Sequence, residues 1–316
     1  MRVLTALAVL FPLFLRAQST TAGYLAPAAI NVAPGQIITL FVHVPNKPAS
    51  GNRVTATPPL PNTLGGFSIV LRQTFSSDPI PVPIQTVSDA GTCSVVSPAV
   101  CDNFSMVTVQ IPFALIPNVP RTTLPANFAR LEISYNNAAV SPLFLNPVPD
   151  AIHAATSCDA NDIQPGICAP YVRHADGTLV DLTHPARSGE PLTIELVGMG
   201  AVSTSVTTGA ATPNAAPAVD GVLVSFDPRV NASPSQPEPS LSAVPDSARL
   251  RPGAVGIYDV TFTAPPLPAG TPPCSTVVNS NLTVNIGRTS SWDGVPICVV
   301  PPAGVRTPLL VGNDRY

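Results

Sequence analysis

Residues 184–202 read HPARSGEPLTIELVGMGAV, and residues 32–44 read VAPGQIITLFVHV. Both stretches place Pro or Ser before Gly, follow it with Gln or Glu, and continue into alternating β-formers. Proline fixes φ and glycine permits the turn, so each stretch delivers the chain into the first long strand of a sheet. The resemblance extends in order along the chain. LGGFSIVL from Leu64 faces VDGVLVSF from Val219, and MVTVQIPFALIP from Met106 faces IYDVTFTAPPLP from Ile257. LEISY from Leu131 faces LTVNI from Leu282, and VSPLFL from Val140 faces GVPICV from Gly294. An ordered series at a nearly constant offset marks a tandem duplication, with a period too long for a solenoid.

Within each unit, segments of about 5–8 residues alternate in polarity, as in Ile38, Leu40 and Val42 against Thr39, Phe41 and His43. Gly- and Pro-rich turns such as TPPLPNTLGG and TAPPLPAGTPP separate them. No long window after the first seventeen residues holds a 3.6-residue apolar repeat free of Pro or Gly. The expected fold is therefore all-β, with two tandem immunoglobulin-like β-sandwich domains at 18–148 and 149–302 and a C-terminal tail at 303–316. Each unit shows fewer than seven clear strands in its pattern.

The opening MRVLTALAVLFPLFLRA has an early Arg, an apolar run and Ala17 before QST. It reads as a signal peptide at 1–17, and no later apolar run approaches the ~18 residues of a membrane span. Export to the cell surface, periplasm or medium is the expectation. The cysteines fit an oxidising compartment. Neighbouring pairs, Cys93 with Cys101, Cys158 with Cys168 and Cys274 with Cys298, would close short local loops. Metal-type spacing is missing, so no metal or cofactor is expected. Charged residues are only 10% of the chain, and the formal net charge is −3. Lys47 is the one lysine. With no basic patch, nucleic acid is a poor partner. The 40 prolines and 20 glycines make under a fifth of 316 residues, below the roughly 25–30% that signals disorder.

HADGTLVDLTHPARSGEPLTIELVGMGAVSTSVTTGAATP, followed by LRPGAVGIYDVTFTAP, resembles a secreted C-terminal domain family of unknown function, abundant in Acidobacteria of the Solibacter type. Asp176, Gly177, Pro185, Ala186, Gly189, Glu190, Gly198, Gly200 and Gly209 fit its pattern. His184 stands where that family has Asn and Ser188 where it has Pro, while 231–247 reads as an insertion. The resemblance spans about Ala22 to Val300 and implies an exported all-β module, often appended to larger surface proteins. It supplies no catalytic residues.

Candidate chemistry is sparse. His174, Asp176, Asp181 and His184 could ligate a metal or act as acid and base, but HADGT also reads as a hairpin and LTHP as a turn. Asp159, Asn161 and Asp162 offer oxygen ligands without EF-hand spacing. Glu190 and Glu195 are five apart, which on one strand points them to opposite faces. Glu190 shares its place in the repeat with Gln36, which argues for a local hydrogen bond. Trp292 with Asp293 is the possible ligand contact, as an aromatic platform for a sugar. The expected function is a structural or binding module, an adhesive or a spacer, without catalytic activity. Its partner would be an extracellular protein or glycan. The alternative is an extracellular hydrolase or carbohydrate-binding protein with its site between the domains or around Trp292.

Overall fold

The computed structural model describes residues 30–45, 47, 52–89, 104–118, 128–156, 169–214, 216–218, 221–228, 241–268, 271–274, 278–287, 289–291 and 295–300. The predicted signal peptide, Cys93–Cys101 and Cys158–Cys168 pairs, Asp159, Asn161, Asp162, Trp292, Asp293 and tail lie outside the described residues. Among the described residues every regular element is a strand, so none is a helix long and apolar enough to cross a membrane.

In chain order the first strands are β1 (Ile30–Val32), β2 (Ile37–His43), β3 (Arg53–Thr55), β4 (Thr63–Leu64), β5 (Phe67–Gln73) and β6 (Ser76–Pro81). β7 (Ile84–Asp89), β8 (Phe104–Gln110), β9 (Ala129–Tyr135), β10 (Ala138–Ala139) and β11 (Leu143–Pro147) follow. Beyond Asp150 come β12 (His153–Ala154), β13 (Val172–His174), β14 (Ala186–Arg187), β15 (Pro191–Val197), β16 (Ala216–Pro217), β17 (Val222–Asp227) and β18 (Leu241–Ala243). The last are β19 (Ser247–Leu250), β20 (Tyr258–Thr263), β21 (Ser280–Ile286), β22 (Thr289–Ser290), β23 (Val295–Ile297) and β24 (Val299–Val300).

These strands form five sheets, and no described sheet mixes strands from before and after Asp150. In the first half one sheet runs β1-β11-β9-β5-β4, with β6 on β5 and β10 on β9, and the other runs β2-β8-β7-β3. The second half has β12-β15-β20-β19-β16 with β13 on β15, then β18-β17-β21-β22 with β23 on β21, and the pair β14-β24.

Several strand pairings of the first half recur in the second, although β12 and β13, both on β15, have no counterpart on β2 among the described residues. β2 on β8 corresponds to β15 on β20, and β5 on β9 to β17 on β21. The parallel pair β1/β11 corresponds to the parallel pair β14/β24. Side chains repeat as well. Gly35 and Gly189 both take positive φ, 75° and 83°, and their N–H groups donate to Ile111 and Ala264 carbonyls. Gln36 Oε1 accepts from Ala33 N–H at 2.9 Å, and Glu190 Oε2 accepts from Arg187 N–H at 2.8 Å. The shared position is thus a turn fastener, as its place in the repeat implies. Thr39 and Thr108 hydroxyls meet at 3.0 Å, and Thr193 and Thr261 at 3.1 Å.

The structure has more strands than the pattern shows because several are two or three residues long. β3 is exposed throughout, so it bury-alternates nowhere and leaves no trace in polarity. Within 231–247, Leu241–Ala243 forms β18, which pairs with β17 as β6 pairs with β5. Those three residues therefore pair as part of the sheet, while 231–240 lie outside the described residues.

Alternation puts Ile38, Leu40 and Val42 into one buried cluster with Phe67, Ile69, Leu71, Leu131 and Ile133 from the facing sheet. A second cluster joins Leu192, Ile194 and Leu196 to Phe226, Tyr258, Phe262, Leu282 and Val284. Burying such side chains contributes roughly 1.5–3 kcal/mol each. The halves meet at a polar, glycine-lined junction. Gly209 N–H donates to Gln110 Oε1 at 2.6 Å, Leu60 N–H to the Gly209 carbonyl at 2.7 Å, and Phe113 N–H to Thr208 Oγ1 at 3.1 Å. The Phe113 ring also packs against the second cluster.

Candidate functional site

The His174 region is the richest cluster of titratable groups in the sequence, and strand pairing decides its geometry. His174 ends β13 opposite Leu192 of β15. Glu190, just before β15, is thereby carried to the imidazole, with Nδ1 2.5 Å from Glu190 Oε1. Nε2 lies 3.1 Å from the His184 carbonyl oxygen. Both neighbours are acceptors when Glu190 is ionised, so the ring satisfies both only as an imidazolium. Burial opposes that charge, but the bonds to Glu190 and His184 outweigh it and hold the His174 pKa above its ordinary value. Burial likewise pushes Glu190 up, and the bonds from His174 and Arg187 N–H outweigh it, leaving the carboxyl below its ordinary value.

The remaining members of the cluster serve turns. Asp176 accepts from Thr178 N–H at 2.9 Å and its hydroxyl at 2.7 Å, closing a hairpin whose Gly177 has φ 87°. Asp181 accepts from the Thr183 hydroxyl, Thr183 N–H and His184 N–H, each at 2.7 Å. The Thr183 hydroxyl and these amides lower its pKa to about 2. His184 is exposed, and its Nδ1 lies 2.9 Å from Thr183 Oγ1. Among the described residues, no three His, Cys, Asp or Glu side chains are grouped to hold a metal.

A pH prediction follows from the pair. The folded-state pKa of His174 is raised from 6.5, so its contribution is complete below pH 6.5 and is lost as pH rises through the raised value. Glu190 is lowered from 4.5, so its contribution is complete above pH 4.5 and is lost as pH falls through the lowered value. His174→Gln should therefore cost most between these limits, about 1 kcal/mol for a charged hydrogen bond that is partly solvated. Urea melts of both proteins across pH 4–9 should show the difference shrinking above neutrality. A difference that grows with pH would contradict the pairing.

Glu195 faces a different set of partners. It is 6% exposed, accepts from Arg173 Nε at 2.7 Å, and lies 2.9 Å from Arg251 Nη2. Arg251 also forks onto Asp259, the register partner of Glu195 across β15 and β20. Burial pushes Glu195 up, but the two guanidiniums outweigh it and keep the carboxyl below its ordinary value. Arg173 lies over the Tyr171 ring, 5.5 Å from its centroid. The structure does not bring Glu190 and Glu195 together as an acid–base pair. Glu190 lies in the turn preceding the strand, and each carboxylate is held by cations of its own.

Cys274 and Cys298 form a disulfide, with Cys298 fully buried beside Ile297 and Val299. Asn279 fastens the same place: its Nδ2 donates to Pro272 and Val299 carbonyls, and its Oδ1 accepts from Val299 N–H.

Two surface depressions are lined by described residues. One, about 570 Å³, is lined by His43, Lys47, Tyr135 and Asn136, with Lys47 ion-paired to Asp89. The other, about 310 Å³, is lined by Arg72, Gln73, Thr74, Phe128, Arg130 and Phe144. Its rings are exposed, Phe128 at 72% and Phe144 at 62%. These exposed aromatics escaped the sequence reading, which looked to Trp292. The signal was nevertheless present: in FARLEISY the alternation that buries Ala129, Leu131 and Ile133 turns Phe128, Arg130 and Glu132 outward. His174–Glu190 and Arg251–Glu195 depend on strand pairing and left no local signature. No protein-family model matches the chain, and no curated protein matches it either.

Proposed function

We propose that the chain is an exported structural or binding module without catalytic activity. In this reading its two halves are tandem immunoglobulin-like β-sandwich domains, at 18–148 and 149–302. It would belong with the acidobacterial secreted modules that its second half resembles. One observation carries the proposal. Of the side chains that resemble a catalytic constellation, all but the exposed His184 are engaged in fold-level tasks: Asp176 and Asp181 cap turns, Glu190 fastens a turn to His174, and Glu195 is neutralised by Arg173 and Arg251. A general base at neutral pH needs a free lone pair near the substrate, and a general acid needs a proton to give. An imidazolium bonded on both nitrogens lacks the first, and carboxylates that their hydrogen-bond donors keep ionised lack the second.

The test is a turnover screen of the purified chain with generic glycoside, ester and peptide substrates. The expected result is no rate above the buffer blank. Turnover that disappears in a folded His174→Gln or Glu190→Gln variant would overturn the proposal.

A further inference from the structure

From its geometry we infer that the groove between Phe128 and Phe144 is a binding face for a carboxylated polysaccharide. This deepens the binding-module reading and rests on it. The groove is a product of register. Phe144 of β11 lies opposite Arg130 of β9, and Arg130 lies opposite Arg72 of β5, so one cross-strand row presents a ring and two guanidiniums outward. Phe128 lines the same groove from the residue before β9. Its position is fixed by Thr74, which donates its N–H to the Phe128 carbonyl at 3.0 Å and accepts the Phe128 N–H on its hydroxyl at 3.2 Å.

The charge of the groove selects an anion. Glu132, on the next outward position of β9, binds Arg72 Nε at 2.7 Å and Arg130 Nη2 at 2.6 Å. Among the described residues it is the carboxylate that touches either guanidinium, so two cations share one anion. Both arginines are nearly half exposed, 44% and 48%, and retain N–H groups directed to solvent. A guanidinium fork matches a planar carboxylate in geometry as well as charge.

The rings add the second half of the specificity. An exposed aromatic face suits the C–H face of a sugar ring, apolar on one side and wet at its edge. A protein partner needs about 800 Å² on each side. The next cross-strand row toward Tyr135 sets Glu132 beside the half-buried Val70, and on the other side Phe75, 52% exposed, follows Thr74. A depression of about 310 Å³ that is open to solvent instead fits a short stretch of an extended polymer.

The experiment is affinity electrophoresis of the full chain in gels containing polygalacturonate, its fully methyl-esterified form, or dextran sulfate. Retardation is expected with polygalacturonate and not with the ester. Phe144→Ala and Arg130→Gln should each weaken the apparent affinity about tenfold. Glu132→Gln removes the competing carboxylate and should strengthen it about threefold, an outcome that misfolding cannot imitate. The inference is overturned by no retardation in polygalacturonate, by equal retardation in the ester, or by retardation in dextran sulfate alone. Retardation that all three variants leave unchanged would also remove the groove from the account while the binding-module reading stands. New reducing ends in the polygalacturonate would overturn the non-catalytic reading whatever the variants do.

Discussion

Gly200→Ala should destabilise the protein by about 3 kcal/mol or more, because two separate penalties fall on one methyl group. Gly200 has φ 85°, a conformation that costs an L-residue about 1–2 kcal/mol. A Cβ there would also overlap the Pro149 carbonyl, closer than the 3.0 Å that real Cβ atoms keep. Backbone cannot swing aside as a flexible side chain can. The same residue's carbonyl accepts the buried Tyr258 hydroxyl at 2.5 Å, so any shift that relieves the clash also strains that bond. Gly198 is alike, with φ 76° and its Cβ position against the Ala151 carbonyl. Gly189 is the control: φ is 83°, but nothing lies within 4 Å of its Cβ position. Gly189→Ala should cost only the conformational share, about 1–2 kcal/mol. Equal losses for Gly200 and Gly189 in urea denaturation would show that close approach plays no part.

Replacing both Cys274 and Cys298 with Ser should cost about 2–4 kcal/mol under oxidising conditions. The bridge joins residues separated by 24 positions, and cutting it releases a loop of the unfolded chain. Asn279 holds the same segments by side-chain bonds to the Val299 N–H and carbonyl and to the Pro272 carbonyl. Asn279→Ala leaves the two buried Val299 groups without that partner and should cost about 2–3 kcal/mol by itself. The two fasteners act on one place, so their losses should not add when the triple variant is melted. Strict additivity would mean that bridge and amide stabilise independent regions.

The long strands were legible because burial forces them to alternate. β2 reads buried at every second residue, and β5, β9 and β20 follow the same rule. The recurring pairings were legible for the same reason, helped by Gly35 and Gly189 at matched turns. β4, β10, β14 and β22, of two residues each, are too short to carry a period. The role of Glu190 could be read by comparing it with Gln36, since both positions face a backbone N–H three residues back. Its second partner, His174, is brought near by the β13/β15 pairing, a contact that no local pattern encodes. The same holds for Gly198, Gly200 and Gly209. Sequence shows them as a glycine motif, and only the packed junction shows why a side chain does not fit.

Amide hydrogen exchange tests most directly the claim that one repeated unit, used twice, is fastened into a single scaffold by these polar and glycine positions. The informative amides are Gly209, Leu60 and Phe113, whose acceptors lie across the junction in Gln110, Gly209 and Thr208. They should exchange nearly as slowly as the central strands β8 and β20. Exchange of all three at the rate of exposed loops, with β8 and β20 still protected, would contradict it.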